Sequence, residues 1–233
     1  SDGEGGSDTA DLVITVDPVN DAPVASGTIA DQSDDDAGVV AGVATSSFFS
    51  DIDGDVLGYS ASGLPAGLSI DPVTGVISGT IDNSASQGGP ASDGVYSVTV
   101  TADDGNGGTV DQTFTWTVAN PAPVANDDAA STDEDVAVSG NVIGSGGAGD
   151  VADSDADGDV LSVTTFVVAG DPATYNAGDT ATIAGVGTVL LASDGSYTFT
   201  PDADWNGTVP AITYTLSDGE GGSDTADLVI TVD

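Results

Sequence analysis

Hydrophobic and polar positions alternate with period two along much of this chain. Tyr96, Val98 and Val100 interleave with Val95, Ser97, Thr99 and Thr101, and Phe114, Trp116 and Val118 alternate with Thr113, Thr115 and Thr117. The same pattern recurs at Tyr197 and Phe199, at Ile212, Tyr214 and Leu216, and at Leu12, Ile14 and Val16. Successive side chains of a strand point to opposite faces, so this spacing predicts half-buried strands. Turns rich in Gly, Asp and Pro separate the runs (SDG, ADDGNGG, GSGGAG). No stretch has convincing helical periodicity. The pattern predicts an all-β fold: two tandem antiparallel β-sandwiches of about seven short strands each, in an elongated rod.

The chain also repeats itself. Residues 1–17, SDGEGGSDTADLVITVD, recur without change as residues 217–233. A segment of that length does not recur by chance, so the sequence reads as a window on a tandem array with a unit of about 216 residues. A weaker repeat lies inside the unit. VNDAPVA (19–25) aligns with ANPAPVA (119–125), DIDGDVL (51–57) with DADGDVL (155–161), and TADDGNGGT (101–109) with TLSDGEGGS (215–223). Residues 1–17 are therefore expected to be the last strand of a preceding repeat, 18–120 a first sandwich and 121–233 a second.

Charge changes the picture most. The 233 residues include 39 acids and no Lys, Arg or His, a formal charge of −39. All the acids are Asp except Glu4, Glu134 and Glu220. Such a surface repels itself, and high salt or bound cations must offset that repulsion. An apolar fraction of 39% still supplies real cores, unlike a disordered acidic tail. Without Cys or His, the available ligands are carboxylates, amides and carbonyls, which suit Ca²⁺ or Mg²⁺ rather than zinc or copper. With no basic residue there is no footprint for nucleic acid or an anionic membrane. No window reaches the ~18 apolar residues of a membrane span.

The densest acids are Asp51, Asp53 and Asp55, and then Asp153, Asp155, Asp157 and Asp159. Carboxylates this close need a cation among them, and Gly54 and Gly158 permit the sharp turn that lets them converge. DSDADG matches the opening of an EF-hand loop, but the twelfth position is Thr164 instead of a bidentate Glu and the flanks are strands, so that motif is rejected. Three further acidic elements accompany the clusters. Asp103 and Asp104, with Asp218 as their counterpart, end the penultimate strand of each domain. Asp17, Asn20 and Asp21 lie at the first junction, and Asn120 at the second. Asp34 and Asp35 (with Asp36), and then Glu134 and Asp135 (with Asp133), come early in each domain. In a sandwich these elements fall at the two ends, so a junction between domains would gather oxygens from several loops. Single Asp-Gly pairs also form turns without any metal.

The linker VNDAP, the DxDGD clusters and the ADDG and SDG loops resemble the calcium-binding motifs of the cadherin superfamily. More narrowly, GLPAGLSIDPVTGVISGT (63–80) resembles dystroglycan-type cadherin-like and bacterial Ig-like modules. NDDAASTDEDVAV (126–138) and YTFTPDADWNGT (197–208) resemble the cadherin-like extender repeats of RTX-type giant adhesins. The resemblance implies Ca²⁺ as the bound ion and neighbouring identical repeats as partners. It implies a place outside the cell, on the surface of a marine or halophilic Gram-negative bacterium, and a structural role in adhesion and biofilm. One departure stands out. At the second junction Pro121 replaces Asp21, so that junction is expected to bind fewer or weaker ions, unless Asp127 and Asp128 compensate.

No catalytic constellation is present, and the chain reads as a non-enzyme. Two other functions stay open: a module binding polysaccharide, and a filament subunit that self-associates through its end strand. Trp116 shares a face with Phe114 and Val118, so core packing is expected of it rather than sugar stacking, and Trp205 is read the same way.

Overall fold

The computed structural model describes residues 3–5, 8–17, 19–145 and 149–233. Residues 8–17 form no strand and lie exposed. The first domain follows with β1 (Val24–Ala25), β2 (Gln32–Asp35), β3 (Val39–Ala44), β4 (Phe49–Ser50), β5 (Gly58–Ser62), β6 (Leu68–Ile70), β7 (Val76–Thr80), β8 (Val95–Asp103) and β9 (Thr109–Ala119). Its two sheets run β2-β9-β8-β5 and β3-β7-β6, with β1 paired to β4. The second domain has β10 (Asp128–Thr132), β11 (Val138–Asn141), β12 (Ser162–Val168), β13 (Thr174–Asn176), β14 (Thr180–Ile183), β15 (Gly187–Leu191), β16 (Ser196–Pro201), β17 (Gly207–Thr208), β18 (Ile212–Ser217) and β19 (Ser223–Val232). One sheet runs β10-β19-β18-β12-β13, with β17 beside β19, and the other β11-β16-β15-β14.

Within the two domains the alternation read from sequence is the burial pattern observed, while Leu12, Ile14 and Val16 stand exposed. Along β8, Tyr96, Val98, Val100 and Ala102 are buried and share one sheet face, and one core, with Phe114, Trp116 and Val118 of the neighbouring β9. Along β19, Ala226, Leu228, Ile230 and Val232 turn into a second core with Phe166, Phe199, Ile212, Tyr214 and Leu216. Trp116 is fully buried, and Trp205 packs against the second core. The Trp116 side chain is therefore closed to a stacking ligand.

One feature departs from an all-antiparallel expectation. β2 pairs in parallel with β9, and β10 in parallel with β19. Each domain takes the chain in at one end and passes it on at the other. Its first long strand and its last thus run the same way when they lie side by side. This places the linker and the turns before β9 and β19 at one end of each domain, and the loops after β2 and β10 at the other.

Candidate metal centre

Two acidic turns carry the candidate chemistry. Oxygens of Asp51, Asp53 and Asp55 lie within 4.8 Å of one another, and so do oxygens of Asp155, Asp157 and Asp159. The local cause is a turn folded around its first carboxylate. The Asp53 N–H donates to Asp51 Oδ1 (2.8 Å), as the Asp157 N–H does to Asp155 Oδ1 (3.1 Å). Gly54 and Gly158 close the turns at φ +79° and +87°, in left-handed backbone that a side chain would strain.

A second, deeper carboxylate sits beside each turn. Asp104 and Asp218 are 5% and 3% exposed. Asp104 Oδ1 accepts the N–H groups of Asn106 (2.7 Å) and Gly108 (2.9 Å). Asp218 Oδ1 accepts those of Glu220 (2.8 Å) and Gly222 (3.0 Å). The linker amide caps the other oxygen in both domains: Asn20 Nδ2 donates to Asp104 Oδ2 (2.9 Å) and Asn120 Nδ2 to Asp218 Oδ2 (2.8 Å). The Asn20 bond, joined by those backbone donors, holds Asp104 below the usual carboxylate range. A Cβ on Gly108 or Gly222 would collide with these carboxylates and with the linker backbone, so both positions require glycine.

These turns sit in two domains of recognisable kind. Residues 120–233 match the family model described as "Bacterial cadherin-like domain", and residues 22–119 the one described as "Putative Ig domain". The two matched regions meet near residue 120 and are called below, after the models they match, the Ig-like and the cadherin-like domain. Among solved structures it is similar to Drosophila N-cadherin EC1-4 (17% identity, 92% of this chain and 50% of that one, TM-score 0.39). It is similar to human protocadherin-24 EC1-2 (19% identity, 92% and 99% covered, TM-score 0.36). A third is an endo-fucoidan hydrolase of glycoside hydrolase family 107 (20% identity, 94% and 30% covered, TM-score 0.40). The chain thus spans 30% of that hydrolase and 50% of the N-cadherin fragment. No curated protein matches the chain.

Where the Ig-like domain meets the cadherin-like domain, the two acidic turns differ. Asn83 Nδ2 reaches Asp159 Oδ1 (3.5 Å) and Gln87 Nε2 donates to the Glu220 carbonyl (2.7 Å), both across the junction. Asp36, only 4% exposed, has one oxygen on the Ser86 N–H (2.9 Å) and the other without a donor. Buried oxygens of Asn120, Asp155, Asp157, Asp159 and Glu220 also lack any hydrogen-bond partner. Desolvation, then the facing Asp155 and Asp159 carboxylates, pushes Asp157 up to about 7. Desolvation first, and then the charges of Asp155, Asp218 and Asp36, raises Asp159, and desolvation followed by the charges of Asp159, Asp36 and Asp218 raises Glu220. Buried carboxylate oxygens without donors are costly and rare in folded proteins. Several hard oxygens from four segments, with no N–H to satisfy them, make a donor set that fits Ca²⁺.

Not every acid expected at such a site is there. Asp34 accepts the indole N–H of Trp116 (3.0 Å) and so fastens β2 to the core. Asp35, one position on, faces outward. Asp103 is exposed and caps its own turn through the Gly105 N–H (2.7 Å). Asp153 turns inward to the hydroxyl of Tyr214 (3.2 Å), away from the three acids that follow it. Glu134 and Asp135 lie exposed at the far end of the cadherin-like domain, where the Glu134 N–H donates to the Asp233 carbonyl (2.9 Å) and the Asp204 N–H to Asp135 Oδ1 (3.1 Å). Asp17 is exposed outside any strand, and the Asp21 N–H donates to Asp53 (2.7 Å). Asp127 takes the Asp227 N–H (2.9 Å) and Asp128 is buried beside Tyr214, so neither faces the junction. Two residues stand out at the junction: Asp36, the last of the early acidic run, and Glu220, which belongs to none of the acidic elements read from sequence. Asp36 follows directly after β2 and continues the alternation that half-buries Asp34. Glu220 occupies the place of Asn106 when ADDGNGG is aligned with SDGEGG.

Proposed function

We propose that this chain is a calcium-stiffened extender segment of an extracellular bacterial adhesin of the RTX type, serving cell adhesion and biofilm formation. Its neighbours in the chain are further copies of the same pair of domains. The observation that carries the reading is the junction near residue 120, where donorless buried oxygens come from both domains at once. Asp36 on the Ig-like side, and Asn120, Asp155, Asp157, Asp159, Asp218 and Glu220 on the cadherin-like side, would hold the ion. Bound Ca²⁺ supplies positive charge that ties the domains together and removes their mutual repulsion. The metal's binding free energy then becomes folding and stiffening free energy. At low free Ca²⁺ the same carboxylates push the domains apart, which keeps a chain of charge −39 extensible until it reaches a calcium-rich medium.

The test is thermal unfolding and small-angle scattering of the chain with Ca²⁺, with Mg²⁺ and with chelator, at matched ionic strength. A binder of the native state alone raises the midpoint by mass action. The expected result is a calcium-specific rise together with a narrower distribution of end-to-end distances. Equal protection by NaCl at the same ionic strength would reduce the acids to a halophilic surface.

A further inference from the structure

The two acidic turns differ at two aligned positions, and the differences act together. In the Ig-like domain the linker residue Asp21 donates its N–H to Asp53 Oδ2 (2.7 Å), and the Asn106 amide donates to Asp55 Oδ2 (2.8 Å). In the cadherin-like domain the aligned residues are Pro121, which has no N–H, and Glu220, which has no side-chain donor at neutral pH. Asp157 and Asp159, the counterparts of Asp53 and Asp55, are accordingly left with buried oxygens that nothing satisfies. Pro121 also removes the linker carboxylate, while Glu220 adds one.

We infer that Glu220 takes the ligand place vacated at Pro121, and that the junction near residue 120 is the tighter of the chain's two cation sites. The inference rests on the calcium reading above and reverses what the linker sequence alone suggests. Glu220 is held for the task from both sides. Its N–H donates to Asp218 Oδ1 (2.8 Å), its carbonyl accepts Gln87 Nε2 from the other domain (2.7 Å), and its Oε2 is buried without a partner. Independently, Asp36 of the Ig-like domain is 4% exposed, with one oxygen on the Ser86 N–H and the other without a donor. In the turn at 51–55 the Asp21 N–H and the Asn106 amide occupy Asp53 and Asp55 and leave one buried oxygen, Asp51 Oδ2, without a partner, whereas Asp155, Asp157 and Asp159 all carry such oxygens.

Calcium titration calorimetry at fixed ionic strength decides the matter, with the full chain as wild type, Glu220→Asn, Asn106→Glu and Asp53→Asn. Wild type is expected to show a tight and a weaker class of site. Glu220→Asn should weaken the tight class by about tenfold or more, the factor that accompanies loss of one well-placed ionic contact. Asp53→Asn should leave the tight class alone, and Asn106→Glu should tighten the weaker one. Unfolding midpoints in chelator, expected to be unchanged or raised in Glu220→Asn, show that the fold survives. A tight class that persists in Glu220→Asn but vanishes in Asp53→Asn overturns the inference and leaves calcium binding standing. A wild type that takes up no Ca²⁺ overturns the calcium reading itself and this inference with it.

Discussion

The chain contains one experiment already performed: the same 17 residues occur twice in different surroundings. As residues 224–233 the segment lies within β19 as far as Val232, between β10 and β18, with Leu228 and Ile230 fully buried. As residues 8–17 it forms no strand, and Leu12 and Ile14 are 84% and 73% exposed. Identical propensity gives opposite outcomes, so the period-two pattern states only what a segment does once a sheet is there to receive it. The backbone groups of a lone strand find no partners of their own kind, and its ordering entropy goes uncompensated.

The widest gap between the two copies should open on truncation. Removing residues 217–233 takes Ala226, Leu228, Ile230 and Val232 out of the second core and should abolish the unfolding transition of the cadherin-like domain. Removing residues 1–17 should leave both transitions where they were, as calorimetry would show. Single residues narrow the gap. Leu228→Ala should cost about 2–5 kcal/mol in denaturant unfolding, whereas Leu12→Ala should stay within about 0.5 kcal/mol of zero.

A finer contrast concerns what β19 sits beside. Asp128 pairs with Leu228 in the sheet register and is 3% exposed. Burial pushes its carboxyl up to about 6, with the Asp150 and Asp153 charges adding to the shift and the Val151 N–H opposing it. The folded state thus holds this proton more tightly than the unfolded chain. The stabilisation is full below pH 3.8 and is lost as pH rises through about 6. The loss amounts to roughly 3 kcal/mol for a shift of this size. Asp128→Asn should flatten that fall in the midpoint of the cadherin-like domain between pH 4 and 7, and the Ig-like domain should not respond. The smallest expected effect is at the sheet surface. Thr213 donates its hydroxyl to Asp227 Oδ1 across β18 and β19 (2.6 Å), and Thr213→Val should cost about 0.5–1.5 kcal/mol. Asp11, the copy of Asp227 in residues 1–17, has no such strand beside it, and Asp11→Ala should be neutral by the same measurement.

The strands and cores were legible because burial writes its period directly into β8, β9, β18 and β19. The parallel pairing of β10 with β19 was not, since alternation looks the same whichever way the neighbour runs. Charge density exposed the turns at Asp51 and Asp155. It misled at Asp34 and Asp153, where one member of an acidic run turns inward to a Trp or Tyr donor while the others turn out. Glu220 escaped notice because its meeting with Asp36 depends on two domains coming together, which no local window contains. Counting acids in the linker alone leaves out Glu220 for the same reason. The carboxylate missing at Pro121 is matched by one that arrives 99 residues later in the chain.

The parallel pairing of first and last strands has a mechanical meaning. A pull on the two ends of the cadherin-like domain draws β10 by its start and β19 by its finish, in opposite directions along neighbouring lines. The ladder from Asp128↔Leu228 to Thr132↔Val232 is then loaded in shear, all its bonds sharing the tension at once, instead of being unzipped one bond at a time. Each domain of this design is a clamp whose grip lies along the line on which its two ends are pulled apart.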